Sequence, residues 1–283
     1  MNKIEENVIV VFTGDETNAR KKDEGRTIME QMFASIGSIR KNWSTEIEIL
    51  FIHTEPLSDS SLKRLRQLNV DNINAGRKVD PSFPIANKML IGEAYKGGKD
   101  ILFLDCDTLV HKALDFDISQ DALVTYDALQ DVTEERYKRL YDALGVAFPN
   151  GVFSGRPSYE YYYHDRHDLF PLLNTGVYFL RNKFKDSFYE KLQENFHKTH
   201  DLLKDELTFY FDQICFALTL RQLDIEYSFF PKGYNFICTT RAPYLKDWPR
   251  DQIYIEHYAG NNSRPLVFDR NKIDLVKSGI IID

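Results

Sequence analysis

Two aspartates at the end of an apolar run are the residues of this sequence whose spacing could do chemistry. The run at 101–104 has the length of a buried strand, and Asp105 and Asp107 follow it directly. Because side chains alternate along a strand, both carboxylates are expected on one side of the chain and Cys106 on the other. Two carboxylates about 5 Å apart repel each other by roughly 3 kcal/mol at an effective dielectric constant of about 20. A cation, a shared proton or water must offset this repulsion.

A hard divalent cation suits this pair of carboxylates. Mg²⁺ and Mn²⁺ usually bind through a few carboxylates together with the phosphate oxygens of a substrate. In open α/β sheets the ligand crevice lies beyond the carboxyl ends of the strands, which is where Asp105 and Asp107 are expected. The alternative for this motif alone is a solvated turn after a strand, so the rest of the chain must distinguish the two.

The elements that position these aspartates are predicted from hydrophobic spacing. Strand and helix patterns alternate over the first 110 residues, which indicates β-α-β units and a mostly parallel sheet of α/β class. Strands are predicted at 8–12, 47–53, 70–73, 101–104, 123–126, 172–180, 225–230 and 253–258. Helices are predicted at 27–41, 58–68, 85–95, 134–144, 184–199 and 207–220. Neither G-x-G-x-x-G nor a P-loop pattern occurs, so those two nucleotide sites are not supported.

The composition excludes several classes of protein. The chain has 283 residues, is 43% hydrophobic and carries a net charge of −7, which disfavours nucleic acid and anionic lipid as partners. Its three scattered cysteines argue against a disulfide framework or a thiolate zinc site and suit a reducing compartment. Since it has neither a signal-peptide pattern nor an apolar run of about 18 residues, we expect a cytoplasmic protein without a transmembrane segment.

Residues 127–170 differ from the rest of the chain. They contain a predicted helix, followed by Gly, Pro, Ser and Arg among closely spaced tyrosines. We interpret this stretch as an insertion over the carboxyl edge of the sheet, within a single domain that covers residues 1–283. Such insertions often shape a binding site, and the alternative is a decorative surface loop. The tail at 261–283 is polar and then mildly apolar.

Four short motifs, taken in order, resemble those of the GT-A-fold glycosyltransferases, the nucleotide-diphospho-sugar transferases. The nearest group by motif order is the galactosyltransferase and glycogenin-like family 8. The resemblance spans roughly residues 8–265 and implies a Rossmann-like, mostly parallel sheet flanked by helices. The motifs are Asp105-Cys106-Asp107, Asn174-Thr175-Gly176-Val177, Asp212-Gln213 and His257-Tyr258-Ala259-Gly260.

The resemblance implies a metal-dependent transfer of a sugar, with retention of configuration, from a nucleotide diphosphate sugar to an acceptor hydroxyl. A UDP-sugar is the expected donor, and a glycan or another hydroxyl compound is the expected acceptor. Mn²⁺ or Mg²⁺ would be held by Asp105, Asp107 and His257. Such a cation neutralises the charge that develops on the departing diphosphate.

Further site residues are also implied by the resemblance. Asp212, Gln213 and Asn174 are the candidate catalytic contacts to the donor sugar, since carboxylate and amide groups suit sugar hydroxyls. For each, the alternative is a residue with a structural role only. The candidate nucleotide contacts are Thr13, Asp15, Lys88, Asp105 and Arg264.

Several alternative functions share part of this pattern. A haloacid-dehalogenase-type phosphatase would need Thr or Val where this chain has Leu109. A nucleotidyltransferase would need a glycine-rich, basic first loop. A non-catalytic sugar-nucleotide or glycan-binding protein would bind the nucleotide without turnover. An inverting transferase would need a carboxylate base, and Asp127, Asp165 and Asp168 are unassigned acids in the insertion that could serve.

The tyrosines of the insertion suggest an acceptor site. Aromatic ring faces suit the apolar faces of sugars. We therefore expect Tyr161 or Tyr162 to line the acceptor site.

Overall fold

The secondary structure follows the predicted alternation of strands and helices. The structure, a computed structural model, describes residues 3–16, 28–127, 133–203, 211–237 and 248–258. Its strands are β1 (Val8–Thr13), β2 (Glu48–His53), β3 (Asp71–Asn74), β4 (Asp100–Leu104), β5 (Thr108–Val110), β6 (Ala122–Tyr126), β7 (Leu173–Leu180), β8 (Tyr227–Phe229), β9 (Phe236–Ile237) and β10 (Ile255–His257). Its helices are α1 (Lys3–Asn7), α2 (Ile28–Asn42), α3 (Asp59–Gln67), α4 (Ile91–Ala94), α5 (Glu134–Ala143), α6 (Pro157–His164), α7 (Lys185–Leu203) and α8 (Phe211–Gln222).

Within the described residues, seven strands form the central sheet in the order β3-β2-β1-β4-β7-β6-β8. Strands β3, β2, β1 and β4 are parallel, and β8 is parallel to β6. Strand β7 runs antiparallel to both of its neighbours, β4 and β6. The predicted mostly parallel α/β sheet is therefore confirmed. The chain moves outward from β1 to β3 and then returns to β4, so a topological switch point lies between the carboxyl ends of β1 and β4.

Strand β1 shows why the central strands are apolar throughout. Val8, Val10 and Phe12 pack into a core with α2 and α3 on one face of the sheet. Ile9 and Val11 pack into a second core with α4, α7 and α8 on the other face. A strand covered by helices on both faces has no solvent-facing positions, so its sequence does not alternate.

A second, smaller sheet brings a distant part of the chain to the end of β4. Strand β10 pairs antiparallel with β5, which begins at Thr108, and parallel with β9. The sequence predicted the last strand but assigned neither β5 nor β9. Because β5 follows the paired aspartates directly, its pairing with β10 places His257 beside them.

Two further predictions needed correction. The helix expected at 85–95 is a 3₁₀ helix, Pro84–Leu90, followed by the short α4. Its buried residues Asn87 and Lys88 are hydrogen-bonded to other elements, so tertiary contacts decide the local pitch. The stretch of tyrosines, for which no element was predicted, forms α6. No helix among the described residues has the length and hydropathy needed to cross a membrane.

A buried hydroxyl pair joins β7 to α7 and tests this packing. Tyr178 and Tyr189 are both buried, and their hydroxyl oxygens are 2.8 Å apart. Tyr178→Phe leaves the Tyr189 hydroxyl buried without this partner, so we expect it to lower the free energy of unfolding by about 1–3 kcal/mol. The double variant Tyr178→Phe, Tyr189→Phe also lacks the unpaired Tyr189 hydroxyl, so we expect it to recover most of the lost free energy of unfolding. Urea unfolding measures both variants, and strictly additive losses would contradict the assignment.

Candidate active site

Asp105 and Asp107 lie in a turn between β4 and β5. The backbone N–H and the hydroxyl of Thr108 donate to the Asp105 carbonyl at 3.1 and 2.8 Å. The aspartates follow β4, which ends at Leu104 as the sequence predicted, and the turn rather than strand alternation sets the directions of their side chains. Between the two carboxylates, the Cys106 thiol points back to donate to the Thr13 carbonyl at 3.3 Å.

His257 closes a cluster with the two carboxylates. Its Nε2 lies 3.3 Å from Asp107 Oδ1 and 3.8 Å from Asp105 Oδ2. One ligand atom from each of the three residues lies within 4.8 Å of the others. Two carboxylates and an imidazole match the donor set of a divalent cation such as Mn²⁺. The residues that the sequence nominated as metal ligands are thus brought together.

The charges of the cluster influence one another. Burial opposes the charge of His257, but the carboxylates of Asp107 and Asp105 outweigh it and raise the pKa of the imidazole. Burial raises the pKa of Asp105, and the nearby carboxylate of Asp107 adds to this effect. A cation bound here would replace the proton on His257 and relieve the repulsion between the carboxylates.

Gly176 makes room for the His257 ring. A Cβ atom at this position would lie 2.3 Å from His257 Cε1 and 2.8 Å from Nδ1. The Gly176 carbonyl also accepts from the backbone N–H of Asp105 at 2.8 Å. The glycine of the Asn-Thr-Gly motif therefore holds both the aspartate turn and the imidazole, and no side chain fits in its place.

Lys88 lies buried between the cluster and the candidate sugar contacts. Only 3% of its side chain is exposed, and its Nζ lies 3.1 Å from Asp212 Oδ2 and 3.4 Å from Asp105 Oδ1. It also donates to the Thr175 hydroxyl at 3.1 Å. Burial opposes its charge, but Asp105 and Asp212 outweigh it and raise the pKa of Lys88. The positive charge of Lys88 thus offsets the negative charge of two carboxylates. Its contact with a nucleotide stays a prediction.

Asp212 and Gln213 lie at the start of α8. Asp212 is 1% exposed, and its Oδ2 accepts from the Thr175 hydroxyl at 2.5 Å. Its Oδ1 is also buried and has no hydrogen-bond partner among the described residues. A buried carboxylate oxygen without a donor is costly, which makes it a good acceptor for a substrate hydroxyl. Gln213 is the next residue and is half-buried.

Asn174 lies at the centre of a buried polar network. Its Oδ1 accepts from the backbone N–H of Gly176 at 2.8 Å and from Asn235 at 3.0 Å. Its Nδ2 donates to Asp127 Oδ1 at 3.3 Å. Asp127 was an unassigned acid in the sequence, and its place directly after β6 was the available signal. Asn235 was missed, because no motif marks it.

The loop after β1 is held by Asp15. Its buried carboxylate accepts from the N–H and hydroxyl of Thr54 at 2.6 and 2.7 Å, and from Glu55 and Asn87 at 3.2 and 3.4 Å. Asp15 therefore ties together the segments that follow β1 and β2. Its contact with a nucleoside, like that of Thr13 at the end of β1, stays a prediction. Arg264 lies outside the described residues.

The insertion contributes differently from what the tyrosines suggested. Tyr162 is buried, its hydroxyl accepts from the Gly233 N–H at 2.9 Å, and its ring packs on Trp248. The expectation that Tyr162 offers a face to an acceptor was therefore wrong. Tyr161 is half-buried, and its hydroxyl donates to the Phe230 carbonyl at 3.2 Å.

The two other unassigned acids are surface residues. Asp165 is paired with Lys232, and Asp168 is paired with Arg166. Their side chains are 77% and 60% exposed. Of these three candidate acids, it is Asp127 that contacts Asn174.

Comparison with known families agrees with this fold. The profile of the Rhodobacterales glycosyltransferase domain matches residues 29–224, which is more than half of the chain. The chain belongs to this glycosyltransferase family, and it is a glycosyltransferase enzyme. No curated protein matches the sequence.

Solved structures show the same GT-A fold. The galactosyltransferase LgtC, solved with donor and acceptor sugar analogues, is 17% identical, with a TM-score of 0.58 and 95% of each chain covered. The glycosyltransferase GlyE of Streptococcus pneumoniae TIGR4 is 16% identical, with a TM-score of 0.57 over 97% of this chain and 63% of that chain. Mouse xyloside xylosyltransferase 1 is 13% identical, with a TM-score of 0.52 over 92% of this chain and 99% of that one.

The close approach of Gly176 to His257 gives a testable prediction. Gly176→Ala places a methyl group 2.3 Å from Cε1 of His257, well inside van der Waals contact, so we expect a loss of about 1–3 kcal/mol in the free energy of unfolding. Combining it with His257→Ala should recover part of that loss. Gly98→Ala is the control, since a Cβ there would meet nothing within 4 Å. Chemical unfolding of the variants is the measurement, and equal stability of Gly176→Ala and Gly98→Ala would contradict the packing.

The buried Lys88 gives a second prediction. Lys88→Met leaves two carboxylates without their cation, so we expect it to lower the free energy of unfolding by about 3 kcal/mol. Adding Asp212→Asn should restore part of the stability, because one buried charge is then gone. Lys78→Met is the matched control: its partly exposed pair with Glu55 should contribute less than about 1 kcal/mol. Equal losses in the two single variants, measured by denaturant unfolding, would contradict the assignment.

Proposed function

We propose that this glycosyltransferase moves a sugar from a nucleotide diphosphate sugar, with a UDP-sugar as the first candidate, to the hydroxyl of a glycan or another acceptor. The observation that supports this most is the cluster of Asp105, Asp107 and His257 beside the buried, unpartnered oxygen of Asp212. The cluster suits a metal and a diphosphate, and the oxygen suits a sugar. Both lie at the switch point of the sheet, where ligands of open α/β folds bind.

In this proposal Asp105, Asp107 and His257 hold Mn²⁺ or Mg²⁺. The observed donor set fits such an ion. Because Gly176 has no side chain, the imidazole of His257 has room to lie beside the two aspartates. When bound, the ion supplies positive charge against the negative charge that develops on the departing diphosphate. Lys88 supports the arrangement because its ammonium group lies within 3.4 Å of the Asp105 carboxylate and 3.1 Å of the Asp212 carboxylate.

The donor sugar is proposed to lie against Asp212, Gln213 and Asn174. The unpartnered Oδ1 of Asp212 accepts from a sugar hydroxyl, and the Lys88 and Thr175 contacts hold that carboxylate in place. We propose retention of configuration, as the family 8 resemblance implies. An inverting reaction would need a carboxylate base, and Asp127, whose carboxylate accepts from Asn174, is the candidate for that role.

The acceptor side of the site is proposed to include Tyr161. Its ring packs against Tyr126, directly before Asp127, and its side chain is half-buried. The exposed part of this ring is proposed to meet a second sugar. Thr13 and Asp15, at the end of β1, are proposed to lie on the nucleoside side, and Arg264 is proposed to contact the diphosphate.

A thermal-shift panel tests this proposal. UDP, GDP, CDP and dTDP are each added with and without Mn²⁺ to the wild type, to Asp107→Asn and to the control Asp165→Asn. A ligand at 100 times its Kd stabilises the folded state by about 2.7 kcal/mol, which raises the Tm by several degrees. We expect one nucleotide, UDP, to stabilise the wild type and the control when Mn²⁺ is present, and Asp107→Asn to lose the shift.

The outcomes separate the alternatives. If none of the nucleotides raises the Tm, with or without Mn²⁺, the proposal is contradicted. A shift with UDP and Mn²⁺, but no hydrolysis or transfer with any UDP-sugar, would indicate a non-catalytic binding protein. Where transfer occurs, NMR of the anomeric proton of the product distinguishes retention from inversion.

A further inference from the structure

Asn235 is a buried amide that joins the candidate metal ligand to a candidate sugar contact. It is 2% exposed. Its Oδ1 lies 3.0 Å from Nδ1 of His257. Its Nδ2 lies 3.0 Å from Asn174 Oδ1 and donates to the Thr125 hydroxyl at 2.8 Å. One side chain therefore touches both halves of the proposed site.

The orientation of this amide is set from the backbone of β7. The N–H of Gly176 donates to Asn174 Oδ1, so the oxygen of that side chain is fixed on the side that faces Asn235. An oxygen there needs a donor, which must be Nδ2 of Asn235. The carbonyl oxygen of Asn235 is then left to face His257. A flipped amide would place two oxygens against each other at Asn174.

This orientation selects one tautomer of His257. An amide oxygen only accepts hydrogen bonds, so the imidazole must donate from Nδ1. The lone pair of the neutral ring is then on Nε2, the atom that faces Asp107 and Asp105. Histidines that bind metals usually donate their other ring nitrogen to a carbonyl or carboxylate, which fixes the tautomer and the ring orientation.

We propose that Asn235 is a positioning residue that holds His257 in its metal-binding tautomer and couples that site to the donor-sugar site through Asn174. This inference rests on the proposed function. The coupling is physical, since the same amide must accept from His257 and donate to Asn174 at once. Beyond Asn174, the network continues to Asp127. Metal binding and sugar recognition thus depend on one shared hydrogen-bonded orientation.

The first experiment measures Mn²⁺ binding by the loss of the free-ion EPR signal, without turnover. We expect Asn235→Ala to weaken Mn²⁺ binding by about 10- to 100-fold, the usual effect of removing the partner of a metal-bound histidine. The matched control is Asn195→Ala, which removes another buried asparagine that donates to Thr219 and Gln222 away from the site. The control should bind Mn²⁺ as the wild type does.

Asn235→Asp separates the two contacts of the amide. A carboxylate still accepts from His257 Nδ1, so we expect Mn²⁺ affinity to stay within about threefold of the wild type. It offers no N–H to Asn174, so the preference for the cognate UDP-sugar over UDP should fall by about tenfold or more, the effect of about 1.4 kcal/mol. Calorimetric titration with UDP and with the UDP-sugar gives this ratio, and it keeps the proposal testable if Asn235→Ala does not fold.

A third measurement reads the tautomer directly. In metal-free wild type labelled with ¹⁵N-histidine, at a pH where His257 is neutral, we expect protonation at Nδ1. Protonation at Nε2 would overturn the inference. So would unchanged Mn²⁺ affinity in Asn235→Ala, an equal loss in Asn195→Ala, or an unchanged sugar preference in Asn235→Asp. If the wild type itself binds no Mn²⁺, the proposed function fails first and the inference fails with it.

Discussion

The site depends on the balance of charge around Lys88. Asp105, Asp107 and Asp212 converge at the carboxyl edge of the sheet, where water is largely excluded. A single buried ammonium group lies within 3.4 Å of two of these carboxylates, and the imidazole of His257 faces the third. Without these groups, mutual repulsion and desolvation would disfavour the folded arrangement. The ammonium group of Lys88 and the imidazole of His257 permit three carboxylates to lie this close together.

Strand β7 positions the residues that surround these charges. It runs antiparallel between β4 and β6, so its first residues lie beside the last residues of both neighbours. Asn174, Thr175 and Gly176 therefore meet the aspartate turn, Lys88 and the His257 ring at one place. Consecutive residues on one strand point to opposite faces. This explains how Thr175 contacts Asp212 while Asn174 contacts Asp127 and Asn235.

Much of this arrangement was predictable, and the exceptions have physical reasons. The parallel core and the three metal-ligand candidates followed from apolar runs and from the order of four motifs. Asp105 and Asp107 converge on His257 as expected, but a turn after β4 directs them there, and strand alternation does not. Tyr162 was misinterpreted, because an aromatic side chain in an insertion can pack inward as readily as outward. The place of Asn235 in the site was not predicted, because an isolated asparagine belongs to no recognisable sequence motif.

The sequence by itself determined the α/β class, the position of the strand that precedes the paired aspartates and the residue types available for chemistry. These properties depend on the spacing of apolar residues along the chain, because a period of two favours a strand and a period of 3.6 favours a helix. Only the tertiary structure decided that β5 pairs with β10, that Lys88 lies between two carboxylates and that Asn235 lies within hydrogen-bond distance of His257. These contacts join residues far apart in the chain, and their partners are chosen by packing and by the need to satisfy every buried polar group.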